Sequence, residues 1–411
     1  MRLANVFQRI TGGGGDVRFS AYDGSSAGPD DAPVHIEVRT PEALSYLASA
    51  PGELGLARAY VTGNLEIIGD AHGALAQLSE FSLREIPWAE RLGLLSFLGR
   101  TRINNRVSPP PQETRLHGLR HSKERDRQAI AHHYDVSNQF YEWILGPSMA
   151  YTCAVYPTLE STLEEAQFAK HDLVARKLGL REGMRLLDVG CGWGGMVMHA
   201  AREYGVRAIG VTLSRNQAEW AQKAIIDAGL SELAEVRHLD YRDVRETGFD
   251  AISSIGLTEH IGKAKLPAYF RSLYAKVKPG GRLLNHCITR PDNLQPARTG
   301  GFIDRYVFPD GELVGPGHIV SLMHDTGFEV RHEENLREHY ALTLAAWCRN
   351  LESHWDEAVR EVGEARARVW RLYLAASRLG FDRNNIQLHQ VLGVRLDGVK
   401  SHMPLRPEWL G

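Results

Sequence analysis

Asp188 stands two residues ahead of Gly190 in the run Arg185-Leu-Leu-Asp-Val-Gly-Cys-Gly-Trp-Gly-Gly195, with further glycines at 192, 194 and 195. Glycines in such a turn let the backbone pass close to a bound ligand, because no Cβ intervenes. A Gly-x-Gly pattern by itself is shared by many nucleotide-binding folds. Two details narrow it. The acid precedes the glycines, and the next apolar run, Ala208-Ile-Gly-Val-Thr212, does not end in the carboxylate that usually grips a nicotinamide cofactor's ribose. A carboxylate before the glycines suits a cationic ligand, of which the sulfonium of S-adenosylmethionine is an example. The chemistry implied is methyl transfer; a glycine-rich turn with no ligand is the competing reading.

The elements that must position this turn can be read around it. Leu186, Leu187 and Val189 form a short buried strand, and residues 196–204 form the helix that follows. Upstream, residues 163–178 read as an amphipathic helix, with Ser161 or Thr162 placed to cap it and Glu164 and Glu165 in its first turn. Downstream come strands at 208–212, 234–239, 249–255 and 282–289, alternating with helices at 215–228 and 266–277; Lys278-Pro-Gly-Gly281 is the turn into the last strand. That alternation predicts an α/β fold with a doubly wound parallel sheet, its ligand at the carboxyl ends of the strands. A helical tail, rich in Trp, Tyr and Leu, runs over 338–379. The first hundred residues read as a smaller α/β module. It has strands at 17–22 and 34–39 joined by a Gly/Ser/Pro/Asp-rich loop, helices at 40–50 and 54–61, and a strand at 63–69. The expected division is a small α/β domain at 1–99, a Pro-containing basic linker at 100–128, and the ligand-binding domain at 129–411.

With 411 residues the chain can hold two or more domains, and a formal net charge of −2 gives no overall attraction for nucleic acid. Cys153, Cys191, Cys287 and Cys348 form no close Cys-x-x-Cys pair, so neither zinc nor a disulfide framework is implied, and a reducing cytosol is the natural compartment. The N-terminus lacks the apolar run of a signal peptide, and no segment approaches the ~18 apolar residues of a membrane span. Residues 100–128 carry eight Arg and Lys against three acids. They read either as a solvated linker or as a strip leaning on an anionic membrane surface, where each cation contributes about 1 kcal/mol.

Several separated motifs together resemble the cyclopropane-fatty-acid synthase family, which includes the mycolic acid cyclopropane synthases. They are Tyr134-Asp-Val-Ser137, Gly146-Pro-Ser-Met-Ala-Tyr-Thr-Cys153, Thr162-Leu-Glu-Glu-Ala-Gln-x-Ala-Lys170, Leu187-Asp-Val-Gly-Cys-Gly-Trp-Gly194, Thr212-Leu-Ser-x-x-Gln217, Glu259-His-Ile-Gly262 and Phe302-Ile-x-x-Tyr-x-Phe-Pro309. The resemblance spans roughly residues 129–395. It implies a Rossmann-like, class I methyltransferase fold that uses S-adenosylmethionine and acts on an unsaturated fatty acyl chain. The N-terminal module, with Ala57-Arg-Ala-Tyr-Val-Thr-Gly-Asn-Leu-Glu66, looks like the extension of the phospholipid-acting members. Donor contacts carried over are Gly190, Gly192, Gly194, Thr212, Leu213 and Gln217, with Asp240 and Tyr241 at the adenine rim and Tyr134 and Ser137 at the methionine end. Asp188 joins them from the turn itself.

In such enzymes methyl transfer to a cis alkene leaves a carbocation, which must be shielded from water and then deprotonated. The resemblance implies a bound bicarbonate ion as the base, held by Cys153, Glu259, His286, the Ile288 backbone and Tyr340, with no metal. Each has a plainer alternative. Cys153 could be a small buried hydrophobe, Glu259-His260 a strand-end cap, His286 a satisfied core histidine, and Tyr340 a packing ring in the helical tail. Trp193, Phe302, Tyr306, Phe308 and Trp347 are candidates for an apolar acyl channel whose rings would steady a cation, or for ordinary core. The expected product is a cyclopropane fatty acid. A methylene branch, which a partner reductase could convert to a methyl branch, is the alternative, and a small-molecule O- or N-methyltransferase or a lipid-binding module without activity are the other classes. The resemblance also suggests a homodimer associated peripherally with the inner face of the membrane.

Overall fold

A computed structural model describes residues 2–11, 16–80, 107–114, 118–134, 136–407 and 409. Two compact units make up the chain: residues 1–115 with 300–307 and 354–379, and residues 116–299 with 308–353 and 380–411.

The first unit is built on a four-stranded sheet of order β2-β1-β3-β4, with β1 Val17–Ala21, β2 Ser26–Ala27, β3 Val34–Val38 and β4 Leu65–Gly69. Alternating burial along β3 follows its apolar-polar alternation. The loop expected between the first two strands carries β2, which pairs antiparallel with β1 and so returns the chain for β1 and β3 to run parallel. Residues 354–379 group with this sheet: Arg368 pairs with Glu66 at 2.5 Å, and Arg371 donates to the carbonyls of Ile67 and Gly69 at 2.9 and 2.7 Å. Arg58 is buried against Glu113, at 2.5 Å.

The second unit holds a seven-stranded sheet of order β10-β11-β9-β8-β5-β6-β7. The strands are β5 Arg185–Val189, β6 Arg207–Thr212, β7 Ala234–His238, β8 Phe249–Ile255, β9 Val277–Thr289, β10 Phe328–Asn335 and β11 Gln387–Arg395. Strands β5 to β9 are mutually parallel, as expected for a doubly wound fold; β11 runs antiparallel between β9 and β10. Strand order reverses at β5, with β6 on one side and β8 on the other, which opens a crevice at their carboxyl ends. The Lys278–Gly281 segment is not a turn ahead of a strand. It is an irregularity inside β9, between the Phe249–Val277 and Ala251–Arg282 pairs, with Gly280 at φ +77°.

The helix Leu163–Leu178 packs beside the crevice. Its start is fixed by a capping box: Thr162 Oγ1 accepts from the Glu165 N–H at 3.2 Å, and Glu165 accepts from the Thr162 N–H at 2.8 Å. Gly179 ends it in the left-handed region. Its buried face carries Ala166, Leu173 and Val174, but also Gln167, Lys170 and Lys177. Burying a lysine is costly unless it is paired or used. Both lysines bear on the site.

Among the described residues no helix is long and apolar enough to cross a membrane. The basic strip, in its described part, is turned onto acids of its own unit. Arg120 meets Asp310 at 2.6 Å, Arg125 also engages Asp310, Lys123 meets Asp243 at 2.6 Å, and Arg127 lies 3.2 Å from Glu124. The guanidiniums at 120 and 125 therefore hold a loop of this unit; Arg100, Arg102, Arg106 and Arg115 lie outside the described residues.

Candidate active site

The glycine turn after β5 separates two connected spaces. Gly192 has φ +54° and open space where a Cβ would project, so the turn needs glycine for its backbone and leaves room beside it. On one side lies a cleft bordered by Met149, Tyr151, Thr152, Lys170, Asp188 and Trp193; on the other, one bordered by Thr212, Leu213, Leu239, Tyr241, Leu257 and Ile261. Gly190, Gly192, Gln217 and Gly256 border both. A ligand with a charged end and a flat apolar end fits such a pair.

The charged side is defined by two buried groups. Asp188 accepts from Ser253 Oγ at 2.6 Å, and burial pushes its carboxyl up to about 6 against the pull of Ser253 and Lys170. Lys170 is almost fully buried and donates to Thr152 Oγ1 at 2.8 Å. Burial lowers its ammonium to about 7, opposed by the nearby Cys153 and Asp188. On the apolar side Thr212 Oγ1 donates to Gln217 Oε1 at 2.7 Å and accepts from the Ser214 N–H, which joins the end of β6 to the next helix.

The residues assigned to the donor from sequence separate into three groups. Asp188, Gly190, Gly192, Thr212, Leu213, Gln217 and Tyr241 border the clefts. Asp240 is buried behind them, its carboxylate bound by the Arg242 side chain at 2.6 and 2.8 Å; Arg242, not Asp240, borders the cleft. Gly194 does not border either cleft. It turns the chain at φ +81° into the helix Gly195–Tyr204. Ser137 caps the helix Asn138–Leu145 by accepting from the Phe140 N–H at 3.2 Å, and the side chain of Tyr134 lies outside the described residues. Tyr151 and Thr152 border the charged cleft. Tyr151, Thr152, Lys170 and Arg242 border the clefts and were not among the residues assigned from sequence. The signal for Lys170 was present, as a lysine on the buried stripe of an amphipathic helix.

The five candidates for the proton-removing site are connected to β9 and β11 by hydrogen bonds and strand register, and none of them borders either cleft. Glu259, on the one-turn helix Thr258–Ile261 after β8, accepts from the Ile288 N–H at 2.6 Å through Oε1, while its buried Oε2 has no partner. The Ile288 amide thus supports the carboxylate instead of standing free for an added ion. Burial pushes Glu259 up to about 7, opposed by that N–H. Ile288 is in register with Leu388, and the Leu388 carbonyl accepts from the Leu336 N–H at 2.8 Å. The Leu336 carbonyl in turn accepts from the Cys153 thiol at 3.7 Å and from the Tyr340 N–H at 3.1 Å. His286, two residues before Ile288 and fully buried, meets Gln390 at 3.1 Å through Nδ1, and its Nε2 has no partner. Burial raises the Cys153 thiol and lowers His286, so both are neutral. A buried polar atom without a partner costs about 1–3 kcal/mol, and Glu259 Oε2 and His286 Nε2 each carry that cost.

Aromatic rings run alongside. Trp193 lies 4.7 Å from Tyr141, Tyr141 5.9 Å from Tyr151, Tyr151 5.4 Å from Trp347, Trp347 6.0 Å from Tyr340, and Tyr340 4.5 Å from Phe381. Phe308 branches from Tyr151 at 6.5 Å and meets His260 at 5.2 Å. Phe302 and Tyr306 belong to the first unit, where the Tyr306 hydroxyl donates to Glu113 at 3.2 Å. Among the described residues no group of three or more His, Cys, Asp or Glu is placed to hold a metal ion.

The family description "Mycolic acid cyclopropane synthetase" matches residues 121–391. The chain belongs to this family. It is a methyltransferase of the cyclopropane synthase type, and the seven-stranded sheet is the family's fold. A protein of Mycobacterium tuberculosis named "Probable fatty acid methyltransferase Rv3720" is 56% identical over 100% of this chain and 98% of its own length. A Pseudomonas putida protein named "Probable fatty acid methyltransferase" is 38% identical over 92% of each. Among solved structures, the cyclopropane synthase MmaA2 from Mycobacterium tuberculosis matches with a TM-score of 0.61 and 34% identity, covering 66% of this chain and 98% of that one. The mycolic acid cyclopropane synthase CmaA1 complexed with SAH and CTAB matches with a TM-score of 0.61 and 32% identity, covering 65% and 97%.

Proposed function

We propose that this methyltransferase takes a methyl group from S-adenosylmethionine and adds it across the cis double bond of an unsaturated fatty acyl chain in a phospholipid, giving a cyclopropane ring. The relatives named as fatty acid methyltransferases and the CmaA1 complex with SAH support the donor and the acyl class. The N-terminal unit supports a phospholipid as the carrier of the chain. In the first step the alkene π pair forms the new C–C bond as the S–CH₃ bond breaks, which leaves a neutral thioether and a carbocation. In the second, a proton leaves the added carbon and its C–H pair closes the ring.

The observation that carries this reading is the unpartnered, buried Oε2 of Glu259. A carboxylate pushed up to about 7, with Cys153 and His286 neutral, can take part in removing one proton without presenting a strong nucleophile to the cation. The aromatic run from Trp193 to Phe381 excludes water and offers ring faces to positive charge. Bicarbonate fits the chemistry of the two unpartnered atoms: Glu259 Oε2 and His286 Nε2 would hold it, with Cys153 and Tyr340 as the further candidates, and it would supply a basic oxygen there. Ile288 would act through Glu259.

Incubation with methyl-labelled donor and dioleoyl phospholipid vesicles, followed by NMR of the released acids, tests the reading. Labelled ring protons far upfield are expected. Label confined to soluble molecules, or to olefinic methylene protons, would overturn it.

A further inference from the structure

His286 is held by a sequence of buried groups whose chemistry leaves it no choice of tautomer. The Lys177 side chain, fully buried at the end of the helix Leu163–Leu178, is ion-paired with Glu334 and donates to Gln390 Oε1 at 2.7 Å. An ammonium can only donate, so the amide oxygen of Gln390 must face it. The amide nitrogen then faces the other way, where it lies 3.1 Å from His286 Nδ1. An amide N–H can also only donate, so Nδ1 must accept with its lone pair. The ring proton is therefore on Nε2, the buried atom with no partner. β-Sheet register makes the arrangement rigid, since Gln390 on β11 is the direct partner of His286 on β9.

We propose that Lys177 and Gln390 are positioning residues that lock His286 as the neutral Nε2–H tautomer, so that it presents a hydrogen-bond donor to an oxygen in the proton-removing site. The use of that donor in turnover rests on the function proposed above; the lock itself does not. Lys170 and Lys177 are the cations whose charge acts on His286, and His171 is the other titratable ring within its electrostatic reach. Both lysines disfavour a second ring proton, which keeps the donor neutral beside a cationic intermediate. Glu334, half-exposed, anchors the far end through its ion pair with Lys177, and its charge opposes the lowering that burial imposes on that ammonium.

The test uses the full chain labelled with ¹⁵N-histidine and a long-range ¹H–¹⁵N correlation spectrum, with His286 assigned by its loss in His286→Gln. Wild type is expected to show the proton on Nε2. Gln390→Glu is isosteric, and its new charge is matched by Lys177, but a carboxylate can only accept, so the proton should move to Nδ1. Turnover on oleoyl phospholipid should then fall by a factor on the order of 10² or more, with the donor KM within about two-fold; a reversed histidine tautomer costs ~10⁴ in a catalytic triad. Lys177→Met, which frees the amide to rotate, should cost about ten-fold, and Lys177→Arg, which restores a donor, should recover most of it. A wild-type spectrum with the proton on Nδ1 overturns the lock. A reversed tautomer in Gln390→Glu with unchanged turnover overturns its role. An Nε2–H spectrum in a chain that leaves oleoyl groups untouched supports the lock and overturns the function reading instead.

Discussion

Asp188 and Glu259 are two buried carboxylates at the carboxyl ends of neighbouring strands, and they have been given different partners. Asp188, in β5, is held by the Ser253 hydroxyl and faces Lys170 across the charged cleft. Glu259, just after β8, keeps one oxygen on the Ile288 amide and leaves the other without a partner. Burial raises both, to about 6 and about 7. The added difference is the lysine: a nearby cation favours the charged form of Asp188, while Glu259 gets no such help. One acid is suited to holding a cation, the other to exchanging a proton.

The comparison breaks most sharply at Glu259→Gln. Turnover should drop by about 10³-fold or more, in the range for loss of an acid–base group, while SAH affinity by calorimetry stays within about two-fold. Equal losses in both would put Glu259 on the donor side with Asp188. The same variant sharpens the contrast through stability. The Glu259 carboxyl sits at about 7 in the fold against a reference of 4.5. Below pH 4.5 it is neutral in both states and imposes no penalty. As pH rises from 4.5 through 7 the unfolded chain ionises first, and wild type loses stability, on the order of 3 kcal/mol by linkage. Urea titrations should show Glu259→Gln overtaking wild type across that window and levelling off above it. Parallel curves would contradict the buried, raised carboxyl.

A smaller effect is expected at Asp188→Asn. Removing the charge should weaken SAH binding about ten-fold, because an ammonium on the ligand loses its counter-ion and Lys170 is left as an unbalanced buried cation. Smallest is Thr212→Val, which removes the bond to Gln217, worth about 1 kcal/mol; a few-fold loss of SAH affinity with unchanged kcat is the expected result. A change in kcat alone would mean that the β6 end reaches the chemistry.

What could be read in the sequence was what depends on neighbours along the chain. The glycine turn, the Thr162–Glu165 capping box and the strand Phe249–Ile255 each carry local signals, and each is where it was expected. Strands β10 and β11 were not anticipated. β11 is buried on both faces, and Gln387, His389 and Gln390 interrupt its apolar residues, so neither alternation nor a hydrophobic run announces it. Ser137 carries a local signal of its own: a serine before an amphipathic helix is placed to cap it, and Ser137 caps the helix Asn138–Leu145. The lock on His286 was out of reach for a different reason. Lys177, Gln390 and His286 are separated by 104 to 213 positions, and only β9–β11 register brings them together.

The most direct measurement uses donor carrying a trideuterated methyl group and follows the isotope content of the product acyl chain. Ring closure through a buried base requires the transferred carbon to lose one deuteron, so the product should retain two. Retention of all three would show that the carbon arrives and stays as a methyl group, and the account of a sheltered cation deprotonated beside Glu259 would be wrong.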